Sequence, residues 1–99
     1  MKLRISQEAL SDLEKIWVYT FETGSIEQAD RYFHLIMNEI NYLAERPESG
    51  KDYSRIGKGY FCSKVKSHLI FYKVNQKQNV VEIIRVLHQQ MGLKSRLND

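Results

Sequence analysis

Apolar positions along the chain follow two spacings, and each predicts a different element. Two runs late in the sequence are apolar on both parities, His68–Val74 (HLIFYKV) and Val80–Leu87 (VVEIIRVL). The link between them, Asn75–Asn79, has no apolar residue. Runs rich in Val, Ile, Phe and Tyr, bounded by Asn, read as the two strands of a hairpin. Because both faces of each run are apolar, these strands belong inside a sheet rather than at its edge. Two other stretches alternate. In residues 2–6 (KLRIS), Leu3 and Ile5 point one way. In Tyr60–Lys66, Phe61 and Val65 point one way while Tyr60, Cys62, Lys64 and Lys66 point the other. If Leu3, Ile5, Phe61 and Val65 all face a covering layer, Lys2, Arg4, Lys64 and Lys66 share the uncovered face of the sheet.

Between these strands the period changes to that of a helix. Ser6 is a good N-cap, and Glu8 complements the positive end of the helix dipole. The first helix runs from about Gln7 to Glu22, with Ala9, Leu13, Ile16, Trp17 and Thr20 on one stripe. Gly24 breaks it, and Ser25 with Gln28 three places on forms a capping-box pattern. The second helix runs from about Ile26 to Glu45, with Ala29, Tyr32, Phe33, Ile36, Met37, Ile40, Leu43 and Ala44 on a broad stripe. Pro47 and Gly50 end it. So short a turn between two amphipathic helices predicts an antiparallel helical hairpin. Residues 47–59 read as a loop. The order is β-α-α-β-β-β in a single domain, 1–99. It predicts an α+β fold: an N-terminal strand, then a helical hairpin packed on one face of a largely antiparallel sheet completed by three C-terminal strands. Trp17, Phe33, Ile36, Ile40, Phe71, Ile83 and Leu87 are the expected helix–sheet core.

Composition narrows the class. With 42% apolar and 27% charged residues, the chain is an ordinary soluble globular protein. No apolar run approaches the roughly 18 residues that span a bilayer, so no membrane partner is expected. A single cysteine, Cys62, and no signal-peptide pattern point to a reducing cytoplasm. Three scattered histidines give no metal-ligand spacing, and neither metal nor cofactor is expected. Charge is unevenly spread. Residues 1–50 carry nine acidic and five basic side chains, whereas residues 51–99 carry three acidic and ten basic. Balances of −4 and +7 follow, and the basic half suggests an acidic partner, either nucleic acid or an acidic protein segment.

No strong catalytic motif is present: there is neither a phosphate-binding Gly-rich loop nor a nucleophile elbow. Arg85 interrupts an apolar strand, so it must be paired or reach a functional surface. It has two options: a structural ion pair, with Glu82 or a helix carboxylate, or a phosphate-binding or transition-state role. His88 closes the same strand on the opposite parity. The end of that strand and the segment after it (Arg85, His88, Met91, Lys94 and Arg96) are not needed to complete the core. A short basic segment rooted on a rigid strand suits a target-binding anchor.

Five blocks recur in order: Ile16-Trp17-x-Tyr19-Thr20, Gln28-Ala29-Asp30-x-Tyr32, Leu43-Ala44-x-x-Pro47-x-x-Gly50, Ser67-His68-x-Ile70-Phe71-Tyr72 and Ile84-Arg85-Val86-Leu87-His88-x-x-Met91. In these the chain resembles the type II toxins of the RelE/ParE superfamily, on the ParE branch. The resemblance implies a non-enzymatic inhibitor of DNA gyrase, neutralised by a ParD-like antitoxin laid over it as an extended, partly helical segment. Antitoxin carboxylates are then expected on some of Arg55, Lys58, Lys64, Lys66 and Arg85. The alternative within the superfamily is a RelE-type ribosome-dependent mRNA endoribonuclease, with His88 as acid or base and Arg85, Lys64 and Lys66 as cations. Direct nucleic-acid binding is left open.

Overall fold

Ser6 ends the first strand and begins the first helix in one residue. Its backbone is extended, and its Oγ accepts from the Ala9 amide at 3.0 Å, satisfying a donor that the helix start leaves free. The computed structural model, which describes residues 1–90, has the order β1 (Lys2–Ile5), α1 (Gln7–Thr23), α2 (Ile26–Glu45), β2 (Lys51–Asp52), β3 (Tyr60–Val65), β4 (His68–Asn75), β5 (Val80–His88). Ser25 caps α2 in the same way, accepting from the Gln28 amide at 3.1 Å. The α+β reading holds, with the expected helical hairpin and strands. One element is additional: the two-residue β2 lies inside the stretch read as a loop, where Gly50 lets the chain turn back against β3.

The sheet has five strands in the order β1-β5-β4-β3-β2. All neighbours are antiparallel except β1 and β5, which run parallel with Lys2 opposite Val80 and Ile5 opposite Ile83. The two doubly apolar runs therefore sit in the interior, as their patterning requires. The β4–β5 register shifts between Phe71 and Tyr72: Tyr72 faces Ile83, but Phe71 faces Arg85, so Ile84 is the extra residue of a β-bulge. The turn joining these strands is closed by the Gln78 amide on Asn75 Oδ1 and by Asn79 in the left-handed region at φ 58°. The N-terminal ammonium donates to the Ala44 carbonyl at 3.1 Å, which ties the start of β1 to the end of α2.

The core lies between hairpin and sheet. It joins Ala9 and Leu13 of α1 and Ile36, Ile40 and Leu43 of α2 to Val65, Ile70, Tyr72, Val74, Val81, Ile83 and Val86. Leu3, Ile5, Phe33 and Phe61 pack on its margin. Three of the expected core residues stand elsewhere. Trp17 is half-buried at the side of the hairpin, where it stacks on Phe21 and donates through Nε1 to Asp30 Oδ1 at 2.9 Å, linking α1 to α2. An indole N–H needs a partner, and the hairpin rather than the core provides one. Phe71 and Leu87 are 1% and 2% exposed, but strand alternation puts them on the face away from the helices, where Tyr53 meets Phe71 edge-on. The expected shared face also needs correction. Lys66 leaves it, because the chain turns after Val65 with Lys66 at φ 51°, and its side chain comes round to α2.

One polar side chain anchors the β2 edge from within. Tyr72 is fully buried, yet its hydroxyl donates to the Pro47 carbonyl at 2.8 Å and accepts from the Gly50 amide at 3.0 Å. Burial pushes this phenol up to about 12, so it stays neutral and can donate. A Cβ at Gly50 would run into the Tyr72 hydroxyl and the Cys62 carbonyl, so this approach requires glycine. Burial likewise pushes the Cys62 thiol to about 11, leaving it an inert packing group.

Two outcomes are expected in urea unfolding. Ile83→Ala should cost about 2–5 kcal/mol by opening a cavity in the core. Tyr72→Phe, which keeps the ring but strands the Gly50 amide and Pro47 carbonyl, should cost about 1–3 kcal/mol. A Tyr72→Phe loss well below that range would mean that the hydroxyl does not hold the β2 edge.

Candidate functional site

Beyond Ile5, β5 has no neighbouring strand on the β1 side, and α1 takes over the vacant edge. The Ser6 amide donates to the Ile83 carbonyl at 3.0 Å, and Ser6 Oγ donates to the Ile84 carbonyl at 2.8 Å. One turn further on, Asp12 Oδ2 accepts from the Val86 amide at 2.9 Å. The same carboxylate receives Arg85 twice: Nε on Oδ2 at 2.8 Å and an Nη on Oδ1 at 3.0 Å. Among the described residues it is the one ion pair within 4 Å. Asp12 holds the Arg85 guanidinium above its ordinary value, chiefly through these hydrogen bonds. Of the two options the sequence left open for Arg85, this structure takes the helix carboxylate. The sequence signal for Asp12 was its position: it sits on the inward stripe of α1 between Ala9 and Leu13, where a polar residue needs a reason.

Three residues later β5 presents His88 on the other face. His88 stands directly opposite His68 on β4, with ring centroids 5.2 Å apart and nearly perpendicular. Tyr32 of α2 completes the group: its hydroxyl lies 2.5 Å from His68 Nδ1 and 3.3 Å from the Val65 carbonyl. In the neutral Nε2–H tautomer of His68, the Tyr32 hydroxyl donates to Nδ1. With His68 charged, Nδ1 donates to Tyr32, which turns its own proton to the Val65 carbonyl. His88 Nδ1 accepts from the Gln90 amide at 3.1 Å, so its neutral form carries the proton on Nε2. Burial, and then the neighbouring His88, lower the pKa of His68. The sequence signal for this group was weak, because neither His68 nor Tyr32 belongs to a spaced chemical motif.

Arg85 and His88 therefore belong to separate networks. The first is locked to α1, and the second faces α2. Beside the histidines, Lys66 borders an open groove with Arg31, Tyr32, Leu35 and Asn38 of α2. Lys64 is exposed on the opposite face of β3, and Lys58 is exposed in the turn before it. Arg55 rests its guanidinium 5.2 Å from the centre of the Tyr53 ring. Met91, Lys94 and Arg96 lie outside the described residues. The six that the structure describes are thus divided among the α1 edge, the α2 side of the sheet, and the far face of the sheet with the turn beside it.

A histidine whose folded pKa is depressed binds its proton more readily in the unfolded chain. Its effect on stability therefore appears as pH falls through the ordinary histidine value of 6.5, where the unfolded state gains protons first. Stability should fall on acidification below that point, and His68→Gln should flatten the dependence of the urea midpoint between about pH 7 and pH 5. An equally steep dependence in the variant would place the proton elsewhere.

Comparison with known proteins adds an independent line. Residues 3–93 match the family model described as ParE toxin of type II toxin-antitoxin system, parDE. The chain is 37% identical over 94 residues to Toxin ParE1 of Caulobacter vibrioides, an alignment covering 95% of each chain. The fold is shared with a solved structure described as the chromosomal ParDE TA system from P. aeruginosa. Its TM-score is 0.76 at 17% identity, covering 89% of this chain and 95% of that one. It is also shared with the isolated E. coli RelE toxin, at a TM-score of 0.63 and 17% identity, covering 96% and 90%. The fold alone thus spans both branches of the superfamily, whereas the sequence match falls on one. This chain belongs to the ParE toxin family of type II toxin–antitoxin systems.

Proposed function

We propose that the chain inhibits DNA gyrase without catalysing a reaction and that a ParD-like antitoxin neutralises it. The ParE match over residues 3–93 carries the proposal. The geometry supports it against the nuclease alternative. Cleaving RNA at a ribose 2′-hydroxyl needs a base, an acid and a cation converging on one phosphate. Here Arg85 is held to Asp12 through Nε and one Nη, and His88 faces the other side of the sheet.

The antitoxin is expected over the helical hairpin. Large apolar side chains stand exposed there, Leu10, Val18 and Phe21 on α1 and Leu35 and Tyr42 on α2. Leu35 borders the groove that Arg31 and Lys66 make basic. An amphipathic segment with carboxylates on one side fits that combination. We place the gyrase-contacting surface at His88, at the end of β5, and at Met91, Lys94 and Arg96, which follow it in the sequence.

The purified chain should block supercoiling by gyrase and leave ribosome-bound mRNA intact. Cleaved mRNA with unimpaired supercoiling would reverse the assignment. Removing residues 92–99 should abolish gyrase inhibition while far-UV circular dichroism stays unchanged. Full inhibition by that truncated chain would move the toxic surface elsewhere.

A further inference from the structure

The face of the sheet turned away from the helices is built from cations. Register places Arg4 opposite Glu82, Glu82 opposite Lys73, and Lys73 opposite Tyr60, so one row crosses four strands. Lys51 joins the same face opposite Cys62, and Lys64 joins it opposite Leu69. Arg4, Lys51, Lys64 and Lys73 are all exposed. Glu82 is the single acid in these rows, yet neither Arg4 nor Lys73 forms an ion pair with it within 4 Å.

Three of the cations on this side are held by aromatic rings. Lys73 Nζ lies 5.6 Å from the centre of Tyr60, and Lys51 Nζ and Arg55 Cζ lie 5.8 and 5.2 Å from the centre of Tyr53. Tyr53 and Tyr60 are fixed in turn, since the Tyr53 amide donates to the Tyr60 carbonyl at 2.8 Å and the Tyr53 ring meets buried Phe71. A cation over a ring keeps its N–H donors turned outward and loses less freedom when it meets an anion. Freely solvated lysines have no such support.

The partner must be drawn by charge. Of the apolar members of this face, Cys62, Phe71 and Leu87 are already buried and Leu69 is half-buried, which leaves a docking helix little to cover. The backbone groups of the inner strands are spent within the sheet, so an extended peptide cannot add to this face as a strand. A row from β1 to β3 spans about 14 Å at ordinary strand spacing, which reaches several successive phosphates of a nucleic acid.

We infer that this face binds the phosphate backbone of a nucleic acid directly and without sequence preference. The inference goes beyond gyrase inhibition and does not depend on it, because the test contains no gyrase and no antitoxin. The measurement is fluorescence anisotropy of a labelled 20-base-pair duplex of mixed sequence, titrated with the full chain between 50 and 200 mM KCl. About four phosphate contacts predict a slope of log K on log salt of roughly −3.6. Arg4→Glu with Lys73→Glu should flatten that slope by about 2 and weaken binding at least tenfold at 100 mM. Lys77→Glu, in the β4–β5 turn, should change affinity less than twofold. Tyr60→Leu, which frees Lys73 from its ring, should weaken binding several-fold with the slope retained. If the double charge reversal impairs folding by circular dichroism, Arg4→Gln with Lys73→Gln gives the same reading with a smaller change. A labelled single strand of equal length separates the two forms of backbone, and binding of either supports the inference. No binding at 50 mM KCl overturns it, as does a double variant that binds like the parent. Polyglutamate that displaces the duplex at equal charge concentration would instead assign the face to an acidic protein.

Discussion

Asp12 is the group on which the far end of the sheet depends. It is 8% exposed and carries a full charge into the seam between α1 and β5. Such a charge is tolerated only when its oxygens are satisfied, and here three donors satisfy them: two from Arg85 and one from the Val86 amide. The arrangement does the work of a missing strand. The β1 strand pairs with β5 only as far as Ile83, and beyond that Ser6 and Asp12 take the backbone groups that a longer β1 would have taken. A helix that caps a strand edge also hides it from other chains, which matters for a protein with long apolar strands. The same bonds fix the angle at which α1 leaves the sheet, and with it the position of the hairpin.

The elements were legible because each depends on local rules. Ser6, Ser25 and Gly24 mark the helix ends by capping chemistry, and the doubly apolar runs mark inner strands by burial on both sides. Strand order was less legible. Parallel pairing of β1 with β5 joins residues nearly eighty apart, and nothing local announces it. Lys66 shows how parity fails at a turn: one residue in the left-handed region moves a side chain to another face. Phe71 and Leu87 show a second limit. Their burial was readable from composition, but which layer buries them was not, because an inner strand is apolar on both faces.

The candidate site divides along the same line. An excess of basic residues in the second half of the chain is a property of sequence, but their grouping is a property of register. Arg4 belongs to the acidic half and still joins the basic face, because β1 pairs beside β5. Tyr53 and Tyr60 looked like ordinary loop and strand aromatics until the structure set cations over them. Arg85 carried the clearest sequence signal, a charge inside an apolar run. Its explanation proved to be an inward-pointing carboxylate 73 positions away.

Parallel pairing of the first strand with the last has a consequence for synthesis. The chain emerges N-terminus first, so β1 and both helices are made well before the residues that complete their core. Val81, Ile83 and Val86 come from β5, and until that strand is available the apolar faces of α1 and α2 have only part of their covering. Closing contacts of such long separation is slow compared with forming the hairpin, because the loop entropy must be overcome first. A nascent or prematurely terminated chain lacking β5 therefore has no Arg85 to satisfy Asp12, no partner for β1 and no closed sheet. Activity that resides on the finished fold is thereby confined to chains that have been translated through β5.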